Sequence, residues 1–172
     1  VQGIIKHIPG HGRALVDSHL KLPVVEENLE ELEATDFATF KQLSSSGAKI
    51  AMTAHVIYSA FDDDLPATTS KTIIDEVIRG EIGFDGLLMT DDLSMRALSG
   101  DFRDRAAASF AAGCDVVLHC NGVMDELLPV CEATPILKGR ALERAEAATA
   151  LLKQPGDAAE IVAKLRDEFN AL

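Results

Sequence analysis

Four short apolar runs set the strongest constraint on how this chain of 172 residues folds. Each run is rich in Ile, Val, Leu or Met and has no polar alternation, which is typical of strands buried on both faces. Longer segments with helical periodicity separate the runs, a pattern that predicts βα units around a parallel sheet. The predicted strands are residues 3–7, 49–54, 86–90 and 115–119.

The apolar periodicity between and after these strands predicts six helices. Ser70 is a candidate N-cap of the second helix, Gly113 ends the third, and Pro155-Gly156 separates the last two. The connections 8–29 and 55–69 have no convincing period and are expected to be long loops, which are usually functional or disordered. The predicted helices are residues 36–46, 70–79, 104–112, 123–133, 139–153 and 157–170.

Composition excludes several classes of partner. The 16 Lys and Arg residues against 28 Asp and Glu give a net charge of -12, which opposes binding to nucleic acid or to an acidic membrane surface. No apolar run is long enough to span a bilayer. The cysteines, Cys114, Cys120 and Cys131, are odd in number and form no C-x-x-C pair, so we expect buried free thiols in a reducing compartment.

Ionisable and polar side chains follow all four predicted strands. The carboxyl ends of parallel strands share one edge of a sheet, and this edge is where sites form in parallel α/β folds. Successive side chains of a strand alternate, so Asp91 can face a pocket while Asp92 points elsewhere, although capping of the next helix explains an Asp there equally well. The residues at these strand ends are Lys6, His7, His55, Asp91, Asp92, His119 and Asn121.

The first long connection contains the sequence Asp17-Ser18-His19. An Asp two residues before a His on an extended segment can accept the imidazole N–H, fixing its tautomer and raising its basicity. His19 is therefore a candidate general acid/base, because its ordinary pKa of about 6.5 suits proton transfer near neutral pH. The alternative is a solvated histidine in a flexible loop.

Metal and phosphate sites are weaker alternatives in the same segment. His7, His11 and His19 with Asp17 are possible zinc ligands, but the helix-borne spacing of zinc peptidases is missing. The nearby glycines lack the Gly-Lys-Ser/Thr ending of a phosphate-binding loop. We expect no metal and no cofactor.

Taken together, five motifs resemble glycoside hydrolase family 3, and most closely its bacterial β-N-acetylhexosaminidases, which are cytoplasmic enzymes of peptidoglycan recycling. The resemblance runs in order from the first residues to about residue 122, and the C-terminal helices match only loosely. The motifs are Lys6-His7-Ile8-Pro9-Gly10-His11-Gly12, Asp17-Ser18-His19, Met52-Thr53-Ala54-His55-Val56, Pro66-Ala67-Thr68 and Met89-Thr90-Asp91-Asp92-Leu93-Ser94-Met95.

The resemblance implies a retaining hydrolase that removes terminal, non-reducing β-linked N-acetylglucosamine from muropeptides through a covalent glycosyl-enzyme intermediate. In this family the Asp after the seventh strand attacks the anomeric carbon, which assigns the nucleophile to Asp91. The Asp-Ser-His loop assigns the acid/base to His19, with Asp17 as its partner. Lys6 and His7 match a Lys-His pair that contacts hydroxyls of the bound sugar. A cytoplasmic location is also implied.

The implied fold is an α/β (β/α)₈ TIM barrel, which typically needs about 250 residues and eight strands. Only four strands are predicted here, and by motif order they correspond to strands five to eight. Residues 1–172 are therefore expected to be the C-terminal half of a single TIM-barrel catalytic domain, with no second domain. Two open sheet edges would call for a missing N-terminal half or self-association. The alternative hypothesis is an inactive half-barrel that must assemble with a partner chain.

Overall fold

The structure is a computed structural model that describes residues 2–150, 152 and 158–171. Four of its strands form one parallel sheet in the order β1-β3-β5-β6. All four predicted strands are confirmed, with ends that differ by one or two residues. The strands are β1 (Ile5–Ile8), β2 (Val24–Val25), β3 (Ile50–Thr53), β4 (Ile57–Tyr58), β5 (Leu87–Asp92) and β6 (Val116–Leu118).

Burial differs between the inner and the outer strands of this sheet. In β3, the residues Ala51, Met52 and Thr53 are all buried, as predicted for a strand covered on both faces. In β1, Lys6 is exposed, and β6 is half-buried along its whole length. Within the described residues, β1 and β6 each pair on one side only, so they form the two open edges expected from the sequence.

All six predicted helical regions are present, but two of them contain π-helix and several ends differ from the prediction. The predicted stretch 36–46 actually begins at Leu29, where the side chain of Asn28 accepts the N–H of Glu31 at 3.0 Å. The helices are α1 (Leu29–Leu32), a π-helical segment (Glu33–Phe37), α2 (Ala38–Ser45), a π-helix (Ile73–Glu81), α3 (Phe102–Ala112), α4 (Met124–Ala133), α5 (Gly139–Thr149) and α6 (Ala158–Asn170).

Two residues predicted to mark helix ends, Ser70 and Gly113, do so in the structure. Ser70 Oγ accepts the N–H of Ile73 at 3.2 Å, which confirms the N-cap, although the segment that follows is π-helical rather than α-helical. Gly113 ends α3 with a φ of 117°, a conformation that favours glycine. The expected end of the fifth helix at residue 153, the separator at residues 155–156 and the start of the sixth at residue 157 lie outside the described residues.

The two long connections are not entirely irregular, so that expectation was wrong in part. β2 lies in the first connection and pairs in parallel with β4 in the second. Val25 and Tyr58 of this small sheet are buried in the main core. Strands of two residues are too short to show a period in the sequence, and only long-range pairing defines them.

One hydrophobic cluster lies between the main sheet and its helices, and a smaller one lies under α3 and α4. Cys114 belongs to the main cluster, whereas Cys120 and Cys131 are exposed, so the expectation of buried thiols was wrong for two of the three. Proximity to apolar residues in sequence did not predict their burial, because Cys120 follows an edge strand. No helix among the described residues has the length and apolarity needed to cross a membrane.

A buried ionic cluster fixes the amino end of the sheet, opposite the predicted site. Asp115 accepts from Arg79 at 2.9 Å, from Arg144 at 3.0 Å and from the N–H of Leu88 at 2.9 Å. Arg144 also contacts Asp85, which attaches α5 to this end of the sheet. The cluster joins the starts of β5 and β6 to the π-helix and α5.

Candidate active site

An open cleft of about 310 Å³ lies at the carboxyl ends of β1 and β5. It contains four of the five predicted site residues, which are His7, Asp17, His19 and Asp91. Lys6, the fifth, lines an adjoining hollow against α2 instead. The full lining of the cleft is His7, His11, Gly12, Asp17, Ser18, His19 and Asp91.

Asp91 and Asp92 face different surroundings, as the alternation of a strand predicts. Asp91 lines the cleft, while the carboxylate of Asp92 accepts from Ser94 N–H at 3.0 Å, Ser94 Oγ at 2.6 Å and Cys120 N–H at 3.2 Å. Burial opposes ionisation of Asp92, but these hydrogen bonds outweigh it and lower its pKa. Asp92 thus closes the turn after β5, and the N-cap of the next helix, α3, is Asp101 rather than Asp91 or Asp92. Asp91 Oδ1 accepts the backbone N–H of Asp92 at 2.8 Å, while its Oδ2 faces His7.

His7 lies next to Asp91, with 3.4 Å between His7 Nε2 and Asp91 Oδ2. Burial lowers the pKa of His7 below its ordinary value despite the neighbouring carboxylate, so the imidazole is neutral at pH 7. A neutral imidazole can donate one N–H to a carboxylate or to a hydroxyl group of a ligand.

Asp17 and His19 form the hydrogen-bonded pair that their spacing predicts. Asp17 Oδ1 accepts from His19 Nδ1–H at 2.8 Å and from the His19 backbone N–H at 2.9 Å. The backbone hydrogen bond and the imidazole contact lower the pKa of Asp17, so its carboxylate stays ionised. The proton on Nδ1 leaves Nε2 as the nitrogen that can exchange protons with a ligand. The His19 side chain is 73% exposed.

His55, two residues after β3, holds the end of β5 through a hydrogen bond to Asp92. The side chain is fully buried, and its Nε2 donates to the carbonyl of Asp92 at 3.1 Å. Its Nδ1 lies 2.7 Å from Thr68 Oγ1. Burial lowers the pKa of His55, so it is neutral and acts on the end of β5 as a hydrogen-bonding group.

Three residues of the cleft, His11, Gly12 and Ser18, were not among the predicted catalytic or sugar-binding residues. His11 Nε2 lies 3.1 Å from Ser18 Oγ, and Ser18 is buried although both its neighbours are exposed. The ring of His11 also lies 5.6 Å from that of His7. His11 and Ser18 belong to two of the sequence motifs, but only the fold brings their side chains together.

His119 and Asn121 follow β6 but do not join the cleft. The side chain of His119 is 2% exposed and packs edge-on against Phe102, with 5.3 Å between ring centroids. Asn121 accepts the N–H of Val123 at 2.9 Å and contacts Glu126. The assumption that every strand end contributes to the site was therefore too broad, because these side chains face the helical layer.

The cleft combines a carboxylate on a strand end with an imidazole–carboxylate pair on a loop. Such a set can supply a nucleophile or anionic stabiliser from one element and a general acid/base from another. Across the described part of the chain, no group of three or more His, Cys, Asp and Glu side chains has the geometry to hold a metal ion.

Comparison with known proteins assigns this α/β chain to a family. Residues 1–149 match the glycosyl hydrolase family 3 N terminal domain, and the chain belongs to that family. The match extends past residue 122, where the motif resemblance ended. Similar proteins named β-hexosaminidase occur in Methylobacillus flagellatus (44% identity over 127 residues, 72% of this chain and 36% of that protein) and Neisseria gonorrhoeae (44% over 126, 71% and 35%).

Solved structures of the same family have similar folds. A family 3 β-N-acetylglucosaminidase from Paenibacillus sp. has a TM-score of 0.80 at 29% identity, covering 91% of this chain and 34% of that one. NagZ from Neisseria gonorrhoeae in complex with N-trifluoroacetyl-D-glucosamine has a TM-score of 0.70 at 36% identity, covering 86% and 46%. The chain spans about a third of the length of its β-hexosaminidase relatives.

Proposed function

We propose that this chain carries the catalytic residues of a retaining glycoside hydrolase that removes terminal, non-reducing β-linked N-acetylglucosamine. The observation that carries the proposal is the convergence of Asp91 with the Asp17–His19 pair in one cleft. Relatives named β-hexosaminidase, and a similar structure that binds an N-acylated glucosamine, favour this sugar class.

In the proposed reaction, Asp91 attacks the anomeric carbon as the glycosidic bond breaks, forming a glycosyl ester. Protonated His19 gives the Nε2 proton to the departing oxygen, and then accepts a proton from the water that hydrolyses the ester. This sequence restores Asp91 and His19 to their starting states. Ionised Asp17 stabilises the imidazolium form of His19 in both steps.

The positions of the two groups suit their proposed tasks. Asp91 sits on a strand whose end is supported by His55, so its geometry is fixed. His19 sits on an exposed loop and can approach and leave the substrate. One imidazole in place of a second carboxylate also avoids repulsion between two neighbouring anions.

Neutral His7 is proposed to bind a sugar hydroxyl beside Asp91. Lys6 is proposed as the second such contact, and its side chain would reach the sugar from the adjoining hollow. The natural substrate is proposed to be a muropeptide of cell-wall recycling in the cytoplasm. No metal or cofactor takes part in this scheme.

The four parallel strands are proposed to be strands five to eight of a TIM barrel, with residues 1–172 as the C-terminal half of one catalytic domain. An N-terminal half, or another copy of this chain, would then cover the open edges of β1 and β6. The relatives in this family support a catalytic role better than they support an inactive half-barrel.

The test is hydrolysis of 4-nitrophenyl N-acetyl-β-glucosaminide by this chain, alone and co-expressed with the N-terminal part of the Neisseria gonorrhoeae relative. We expect turnover, and we expect a 5-fluoro N-acetylglucosaminyl fluoride to label Asp91 covalently. Turnover in neither preparation, or label on Asp92, would overturn the proposal. Turnover only after co-expression would favour a half-barrel that needs a partner.

A further inference from the structure

We propose that Arg13 is a positioning residue that anchors the loop carrying Asp17 and His19 to the helical layer. We call residues 10–21 the His19 loop. With its first residues held by Arg13, the rest of the loop would move and still return His19 to the same place in the cleft with Asp91. The catalytic consequence rests on the proposed function, whereas the anchoring can be tested without it.

Arg13 makes four side-chain contacts, three with the helical residues 29–37 and one with Glu27 just before them. Its Nε donates to Asp36 Oδ2 at 2.7 Å, and its two terminal nitrogens reach Glu31 Oε1 at 2.9 Å, Thr35 Oγ1 at 2.8 Å and Glu27 Oε1 at 3.4 Å. A guanidinium has five N–H donors in a fixed plane, so it can hold several acceptors in one geometry. This is more than a single surface ion pair provides.

Asp36, which accepts the shortest hydrogen bond from Arg13, is packed closely against the His19 loop. The carboxylate side chain of Asp36 is only 11% exposed, so it is shielded from water. Gly10 makes room for it, because a β-carbon on Gly10 would lie 2.8 Å from Asp36 Oδ1. The buried Tyr58 hydroxyl donates to the Gly10 carbonyl. Gly10, Asp36 and Arg13 therefore form one packed unit.

Beyond Arg13 the His19 loop becomes exposed to solvent. Leu15 is 94% exposed, and Val16 and Asp17 are also exposed. The chain is then held again at Ser18 by His11, and more loosely at the His19 carbonyl, which accepts the N–H of Arg96 at 3.4 Å. The loop thus has a fixed limb at 10–14, where the Ala14 N–H donates to the His11 carbonyl at 3.1 Å, and an exposed tip at 15–17, which is followed by Ser18 and His19.

Arg13 does not line the cleft, but the fixed limb that it holds leads to the tip and to His19. Removing the guanidinium leaves the shielded Asp36 carboxylate without its strongest donor and frees the limb from which the tip extends. His19 would then sample more positions relative to Asp91. Misplacement of a catalytic group by about 1 Å can slow a reaction on the order of 10²-fold.

The anchoring is tested by hydrogen–deuterium exchange of the His19 loop in the full chain, with Arg13→Ala compared with wild type. We expect exchange in residues 10–21 to accelerate about fivefold, which corresponds to ~1 kcal/mol of local stability. Arg103→Ala is the matched control, because Arg103 makes one exposed ion pair with Glu132 and no contact with the loop. Equal exchange in Arg13→Ala and wild type would overturn the proposal.

The catalytic consequence is tested with N-acetylglucosaminides of graded leaving-group pKa. Arg13→Ala should lose kcat/KM mainly on poor leaving groups, as expected when the proton donor is misplaced, and Arg13→Lys should restore part of the loss. Equal losses on all substrates would indicate general destabilisation and overturn the positioning role. Turnover that survives Asp91→Asn would instead refute the proposed function, while the exchange measurement would still decide the anchoring.

Discussion

His7 Nε2 lies 3.4 Å from Asp91 Oδ2 although β3 separates their strands in the sheet. Strands two places apart lie about 10 Å from each other in a flat sheet, so side chains at the ends of β1 and β5 must converge over the end of β3. The contact thus joins a residue proposed to bind the sugar to the proposed nucleophile.

The separate environments of Asp91 and Asp92 predict opposite phenotypes. Asp91→Asn should lower turnover of the N-acetylglucosaminide by about 10⁴-fold or more, because a nucleophile is lost, and leave thermal unfolding nearly unchanged. Asp92→Asn should cost about 1–3 kcal/mol of stability, because the carboxylate loses charge-assisted hydrogen bonds from Ser94 and Cys120. Kinetics and urea unfolding of both variants test this. Loss of turnover in Asp92→Asn and loss of stability in Asp91→Asn would contradict the assignment of Asp91 as the nucleophile.

The proposed acid role predicts how His19→Ala depends on the leaving group. Aryl glycosides with activated leaving groups should lose little, whereas alkyl glycosides should lose about 10²–10⁴-fold, since only they require a strong proton donor. Asp17→Asn should show the same trend, because the ionised carboxylate fixes the imidazole. Comparable losses on both substrate types would argue against the acid role.

His7, which is half-buried, and His55, which is fully buried, predict a loss of stability on mild acidification. Burial lowers the pKa values of His7 and His55 in the folded state, so the unfolded chain binds protons first as the pH falls. Stability should decline below about pH 6.5, the ordinary histidine pKa, and continue to decline until the folded pKa values are reached. His55→Gln should flatten this decline in thermal unfolding measured from pH 7.5 to 5. A wild-type curve that is level over this range would refute the prediction.

Thiol chemistry should distinguish the three cysteines. Burial raises the pKa of Cys114 to about 12, while Cys120 and Cys131 are exposed. Burial and the nearby Asp92 and Asp91 carboxylates raise the pKa of Cys120, so in native protein a thiol reagent should modify Cys131 first, Cys120 more slowly and Cys114 only after unfolding. Mass spectrometry of the labelled peptides measures this, with guanidinium-unfolded protein as the control. Rapid native labelling of Cys114 would show that the main core opens more readily than its packing indicates.

The buried ionic cluster should contribute to stability without taking part in catalysis. Asp115→Ala would leave Arg79 and Arg144 without their shared partner and should destabilise the fold by about 3–5 kcal/mol. Arg140→Ala, at the exposed end of the same cluster, should cost much less, because water screens its ion pair with Asp85. Denaturant unfolding compares the two variants, and similar losses would show that burial does not set the strength of this network.

The sequence determined much of the fold because the main signals are local. Apolar runs without alternation predicted β1, β3, β5 and β6, and the N-cap at Ser70 and the stop at Gly113 were confirmed. Strand alternation also predicted that Asp91 and Asp92 face different surroundings, and the Asp17–His19 spacing predicted their hydrogen bond. All of these depend on neighbours within a few residues along the chain.

Only the tertiary structure decided which of these side chains meet. It placed His7 against Asp91, kept Lys6 and His119 out of the cleft, paired β2 with β4 and exposed two of the three thiols. The anchoring of the His19 loop by Arg13 has the same origin, since its partners Glu31 and Asp36 lie some 20 residues away along the chain. Such contacts depend on how elements pack, and packing distances are not encoded in any local pattern.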